Sequence, residues 1–126
     1  MKTMEQKKEL LYNTRYLIAT RKDAQIPEML KYYKSLKPSV WDMHNLISDC
    51  KYAQTPEMLE YFKSLNPSSW EVSNLITDCE YAQTSKMVKY YKSLKPSYDD
   101  VGWLIANCKY AQTPGMRKYC KSLLNE

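Results

Sequence analysis

A single 29-residue period runs through this chain and dictates most of what it can become. Ala-Gln recurs at Ala24, Ala53, Ala82 and Ala111. Around it Met29, Met58, Met87 and Met116 keep the same spacing, as do Tyr32, Tyr61, Tyr90 and Tyr119. Lys34-Ser35-Leu36 returns as Lys63-Ser64-Leu65, Lys92-Ser93-Leu94 and Lys121-Ser122-Leu123. A period of this length belongs to stacked copies of one supersecondary unit, none of which buries its apolar face alone.

Each copy reads as two helices. The first, helix A, opens where Thr55, Thr84 and Thr113 serve as N-caps and Pro27, Pro56 and Pro114 take the first helical position. Proline is tolerated there because that N–H would go unpaired in any case. Apolar residues then follow at i, i+3, i+4 and i+7, as in Met58, Tyr61, Phe62 and Leu65. Pro38, Pro67 and Pro96 end the helix, since proline disfavours α conformation in the residue before it. Helix B begins at once, with Ser39, Ser68 and Ser97 as N-caps and Asp42, Glu71 and Asp100 completing capping boxes three residues on. Its stripe is Met43, Leu46, Ile47 and Cys50, repeated as Val72, Leu75, Ile76, Cys79 and as Val101, Leu104, Ile105, Cys108.

The expected spans are 27–37, 56–66, 85–95 and 114–124 for the A helices and 39–50, 68–79 and 97–108 for the B helices. Residues 3–20 form a leading B helix opened by a Thr3/Gln6 capping box. The expectation is one all-α domain over 1–126, a right-handed α-solenoid of about four helix-turn-helix repeats with eight helices. Its parts are a leading half-repeat 3–23, repeats 24–52, 53–81 and 82–110, and a trailing half-repeat 111–126.

The stretch from Leu104 to Leu123, with its Ala106-Asn107 and Thr113-Pro114 pairs, resembles the variant leucine-rich repeat. Cys108 stands where that family has proline, and three extra residues precede Thr-Pro. The resemblance implies a curved helical solenoid of that kind or of the HEAT kind, and it carries over no catalytic or binding residue.

Charge divides by helix type. The four A segments hold eleven Lys/Arg against three acids, whereas the three B segments hold six acids and no Lys/Arg. A basic layer and an acidic layer are expected, within an overall charge of +5. On the basic side Lys31, Lys34, Lys63, Lys89, Lys92, Lys118 and Lys121 flank the tyrosine stripe, as contacts for phosphate or for an acidic partner. The competing reading makes them dipole-favourable lysines beside core tyrosines.

In a solenoid, constant positions build the stack and varying ones meet a partner. The copies differ most on the first half of helix B, at Trp41, His44, Trp70, Tyr98 and Trp103. These are the candidate partner-binding residues, with packing between repeats as the alternative for Trp41 and Trp70. His44, the one histidine, is expected at the solvated surface. No nucleophile–base pair, metal-ligand spacing or glycine-rich phosphate loop is present, so no enzyme and no cofactor or metal is expected.

Cys50, Cys79 and Cys108 fall on successive layers, expected about 8–10 Å apart, beyond the reach of a disulfide. They read as buried, reduced core residues. With no signal-like stretch in 1–20 and no apolar run of membrane length, a cytoplasmic location is expected. The primary expectation is a protein-interaction module, of the scaffold or inhibitor kind, whose partner is acidic or amphipathic. The alternative is non-sequence-specific RNA or DNA binding through the lysine/tyrosine face. Open ends bearing Leu11, Leu17, Ile18, Cys120, Leu123 and Leu124 also suggest self-association.

Overall fold

The computed structural model describes residues 1–125, which form eight α-helices and no strand among them. The helices are α1 (Met4–Thr20), α2 (Pro27–Ser35), α3 (Val40–Asp49), α4 (Pro56–Ser64), α5 (Ser69–Asp78), α6 (Ser85–Ser93), α7 (Tyr98–Asn107) and α8 (Pro114–Ser122). The chain divides into two compact units, Met1–Asn66 with α1–α4 and Pro67–Glu126 with α5–α8. In the first, α1 packs on α2 and α3, and α3 packs on α4. In the second, α5 packs on α6 and α7, and α7 packs on α8. Each unit is thus a pair of B helices in contact, each carrying the A helix that follows it.

The caps form where the residues call for them. Thr55, Thr84 and Thr113 accept from the N–H three residues on, that of Met58, Met87 and Met116. Ile26 holds the same place before α2 and offers no side-chain cap. Ser39 and Asp42 complete a full capping box, as do Ser68 and Glu71, and Thr3 with Gln6. At α7 the box is half made: Ser97 accepts from Asp100 N–H, while the Asp100 carboxylate accepts instead from the Ser69 hydroxyl at 2.7 Å.

The A helices stop two residues earlier than expected. Leu36, Leu65 and Leu94 are C-caps, and Lys37, Asn66 and Lys95 take φ of 55°, 56° and 53°. The left-handed residue returns its N–H to the carbonyl three back, Lys34, Lys63 and Lys92 respectively. Ser35, Ser64, Ser93 and Ser122 each donate to the carbonyl three residues earlier, which accounts for their regularity.

The Ala-Gln pair has a structural cause. The link after helix B is a 3₁₀ turn, Lys51–Ala53 in one copy and Glu80–Ala82 in the next. Its alanine is buried in three copies (Ala53, Ala82, Ala111) and half-buried at Ala24. The following glutamine folds back: Gln25, Gln54, Gln83 and Gln112 donate Nε2–H to the carbonyls of Ile18, Ile47, Ile76 and Ile105 at 2.9–3.1 Å. Those carbonyls lie in the last turn of helix B, which leaves four acceptors without intrahelical partners. The glutamine therefore caps one helix and sets the direction of the next.

The core holds most of the expected B-helix stripe, with Met43, Leu46, Ile47, Val72, Leu75, Ile76, Val101 and Leu104 fully buried, while Ile105 is only half-buried. Cys50, Cys79, Cys108 and Cys120 are buried free thiols. The two tyrosine columns separate. Tyr33, Phe62 and Tyr91 are fully buried, whereas Tyr32 is exposed and Tyr61, Tyr90 and Tyr119 are only half-buried, so that column is not core. The apolar-end expectation narrows likewise: Leu11, Ile18 and Cys120 are buried and Leu123 is half-buried, leaving Leu17 and Leu124 exposed. No helix among the described residues is long and apolar enough to cross a membrane.

Candidate binding surfaces

Two surfaces carry the residues that the sequence singles out. The first lies along the B helices. In the second unit, Trp70 of α5 and Trp103 of α7 meet with ring centroids 4.7 Å apart and planes tilted by 58°. This tilted contact suits the quadrupoles of two aromatic rings. Trp70 and Tyr98 still expose 42% and 43% of their surface. Trp70 is therefore not an enclosed core residue, and packing between helices and solvent exposure coexist in one side chain. Ser73 and Asn74 hydroxyl and amide groups both donate to the Trp70 carbonyl, and Asn107 donates to that of Trp103, fixing the turns that carry the indoles.

In the first unit, Trp41 is equally exposed, and its ring lies 5.1 Å from that of His44. His44 itself is buried, with 4% of its surface exposed, which corrects its expected place in solvent. Its repeat counterpart Ser73 is fully buried too. Both side chains lie against their own helix, His44 beside the Trp41 ring and Ser73 donating to the Trp70 carbonyl. His44 is thus a support beneath Trp41 rather than a contact residue.

The second surface lies along the A helices. Lys34 Nζ stands 5.4 Å from the ring centroid of Tyr61, and Lys92 Nζ stands 4.9 Å from that of Tyr119. Both are cation–π contacts between consecutive A helices. Lys63 pairs with Glu60 at 3.4 Å and is mostly covered. Lys31, Lys89, Lys118 and Lys121 are exposed. The seven lysines therefore split: Lys34, Lys63 and Lys92 are built into the surface, and the other four project from it. Between α2 and α4 a groove of about 510 Å³ is lined by Leu30, Lys34, Tyr52 and Met58. Its counterpart between α6 and α8, lined by Val88, Lys92, Tyr110 and Met116, measures about 250 Å³. Each unit thus repeats one apolar slot with a lysine at its edge.

Burial changes the chemistry of the enclosed hydroxyls and thiols. Loss of solvation pushes the Tyr33 and Tyr91 hydroxyls well above the usual phenol range. The Cys50 thiol is pushed up to about 11, by burial first and by the nearby Asp49 carboxylate second. Such a thiol is protonated at neutral pH and a poor nucleophile. No group of three or more His, Cys, Asp or Glu among the described residues is placed to hold a metal ion. Comparison with known protein families, curated proteins and solved structures gave no match.

Proposed function

We propose that this protein is a non-enzymatic interaction module that binds a protein partner through the aromatic residues of its B helices. The 29-residue units stack as a right-handed α-solenoid in this reading, in the manner of variant leucine-rich or HEAT-like repeats. The carrying observation is the Trp70–Trp103 pair, with Trp70 and neighbouring Tyr98 more than two-fifths exposed. Tryptophan and tyrosine dominate binding energy where they sit on a preformed surface, because little rotamer freedom remains to be lost. Trp41, held on buried His44, supplies a matching anchor in the first unit. The exposed Lys31, Lys89, Lys118 and Lys121 attract a partner with an acidic flank, raising its encounter rate.

Nucleic acid along the A helices is the competing reading. It is disfavoured because the Lys34 and Lys92 ammonium groups already take ring faces of Tyr61 and Tyr119, where bases would stack. The test is affinity capture from the native host with and without nuclease, comparing wild type with Trp70→Ala and Trp103→Ala. The expected outcome is a nuclease-resistant partner whose affinity falls about tenfold or more in each variant, with helicity unchanged. Capture that vanishes with nuclease, or variants that lose the fold and binding together, would overturn it.

A further inference from the structure

The gap between the two B helices of each unit is filled in one unit and open in the other. In the second unit Trp103 lies on Trp70, and the Ser69 hydroxyl binds Asp100. The residues 58 positions earlier are Asn45, Tyr12, Leu11 and Asp42. Asn45 is too short to reach Tyr12 as one indole reaches another, and Leu11 has no hydroxyl for Asp42. What remains is a groove of about 430 Å³ between α1 and α3, with Leu11 and Tyr12 among its walls.

That groove is also basic. Lys7, Lys8, Arg15 and Lys37 line it against one carboxylate, Asp42. Asp42 is engaged by Ser39, accepting from its N–H at 2.9 Å and its hydroxyl at 3.0 Å. None of the four cations forms an ion pair among the described residues. The guanidinium of Arg15 is placed by Tyr12, 5.4 Å from the ring centroid. In the second unit Ser73 stands for Arg15, and the stretch of α1 that carries Lys7 and Lys8 has no equivalent, because α5 begins only at Ser69. Three of the groove's four cations therefore have no charged counterpart in the second unit, where Trp103 on Trp70 fills the corresponding gap between α5 and α7.

We infer that the α1–α3 groove binds a nucleoside di- or triphosphate. Its volume falls in the range of small-molecule sites. A net lining charge of +3 matches the three to four negative charges of such a polyphosphate, whereas a single carboxylate would leave cations uncompensated. Arginine and lysines supply forked and point-charge donors to phosphate oxygens. Arg15 takes one face of the Tyr12 ring, and the ring, 58% exposed, keeps its other face for the base.

The experiment is a titration of the isotope-labelled full chain with ATP, ADP, adenosine and inorganic tripolyphosphate in low salt, followed by amide NMR shifts. ATP and ADP are expected to shift amides in 7–15 and 37–45, with adenosine at least tenfold weaker. Arg15→Ser and Lys37→Asn copy residues that the fold already holds at Ser73 and Asn66, so folding is preserved. Together they should weaken ATP binding about tenfold or more. Asn45→Trp should close the groove and do the same, while Lys95→Asn in the second unit leaves binding unchanged. Absence of shifts at the groove, or an equal loss in Lys95→Asn, would overturn the site. Tripolyphosphate binding as tightly as ATP would overturn the nucleoside assignment.

Discussion

Replacing Gln83 by alanine tests whether the glutamine fold-back holds the helices together. Gln83 Nε2–H reaches the Ile76 carbonyl at 3.0 Å, and Ile76 is fully buried. Truncation leaves a carbonyl of buried Ile76, in the last turn of α5, without its side-chain donor. An unsatisfied buried acceptor costs about 1–3 kcal/mol, and release of the ordered glutamine side chain offsets part of that. The expected net loss is about 1.5 kcal/mol. For a chain of this length that lowers Tm by about 6 °C. Gln112 makes the same bond, at 2.9 Å to Ile105, but is itself exposed. Water replaces it there, so Gln112→Ala should cost less than about 0.5 kcal/mol. Gln83→Glu should be worse than Gln83→Ala, because a carboxylate then faces the carbonyl. Urea unfolding followed by far-ultraviolet circular dichroism reads all three variants. Equal losses for Gln83→Ala and Gln112→Ala, or a Gln83→Ala effect below about 0.5 kcal/mol, would refute the reasoning.

Tyr33→Phe should cost about 1 kcal/mol in the same unfolding assay, because the Tyr33 hydroxyl donates to the Asp42 carbonyl at 3.0 Å. Tyr91→Phe should be neutral or stabilising, since its buried hydroxyl has no hydrogen-bond partner among the described residues and Phe62 shows that the site accepts a plain ring. Lys95→Gly should raise stability by about 0.5–1 kcal/mol, because a φ of 53° strains any residue with a Cβ. Cys50 has its thiol raised to about 11 from an ordinary value of 9.0. The folded state thus holds this proton more tightly than the unfolded one. Its contribution is complete below about pH 9 and is lost as pH climbs through about 11, so urea midpoints should fall across that interval. Cys50→Ser should flatten that fall.

Most of the helical scheme could be read from the sequence because the caps and stripes are local. Thr55, Ser39 and Ser68 act within three residues of themselves, and the apolar stripe of helix B needs only a period of 3.6. The A-helix ends were misplaced for a physical reason: Pro38 announces that a helix stops, but not that Lys37 takes a left-handed conformation. The fold-back of Gln54 onto Ile47 escaped notice because a glutamine after a helix has no fixed partner in sequence. His44 was misread because variation between copies was equated with exposure. In its column His44 and Ser73 are buried while Arg15 and Gly102 are half-buried, so variation and exposure do not go together there. The basic groove left two signals, the Lys7-Lys8 pair and an arginine in that same varying column. Neither suffices without knowing that Asn45 leaves the gap open and Trp103 fills it.

The glutamine fold-back also bears on how such a chain gains or loses copies. A helix B, its 3₁₀ turn and the following helix A are tied by a bond that spans the turn, and the compact units part between Asn66 and Pro67. The segment that carries its own clamp and caps is therefore the B–A hairpin, running from one Pro-Ser junction to the next. A recombination event that duplicates residues 67–95 inserts a hairpin with its own clamp and its own caps. One that duplicates 53–81 delivers the same number of residues but joins them through the middle of a clamped turn. Chains made by adding or deleting one segment at the proline junctions should thus keep cooperative unfolding, with length changing in steps of two helices.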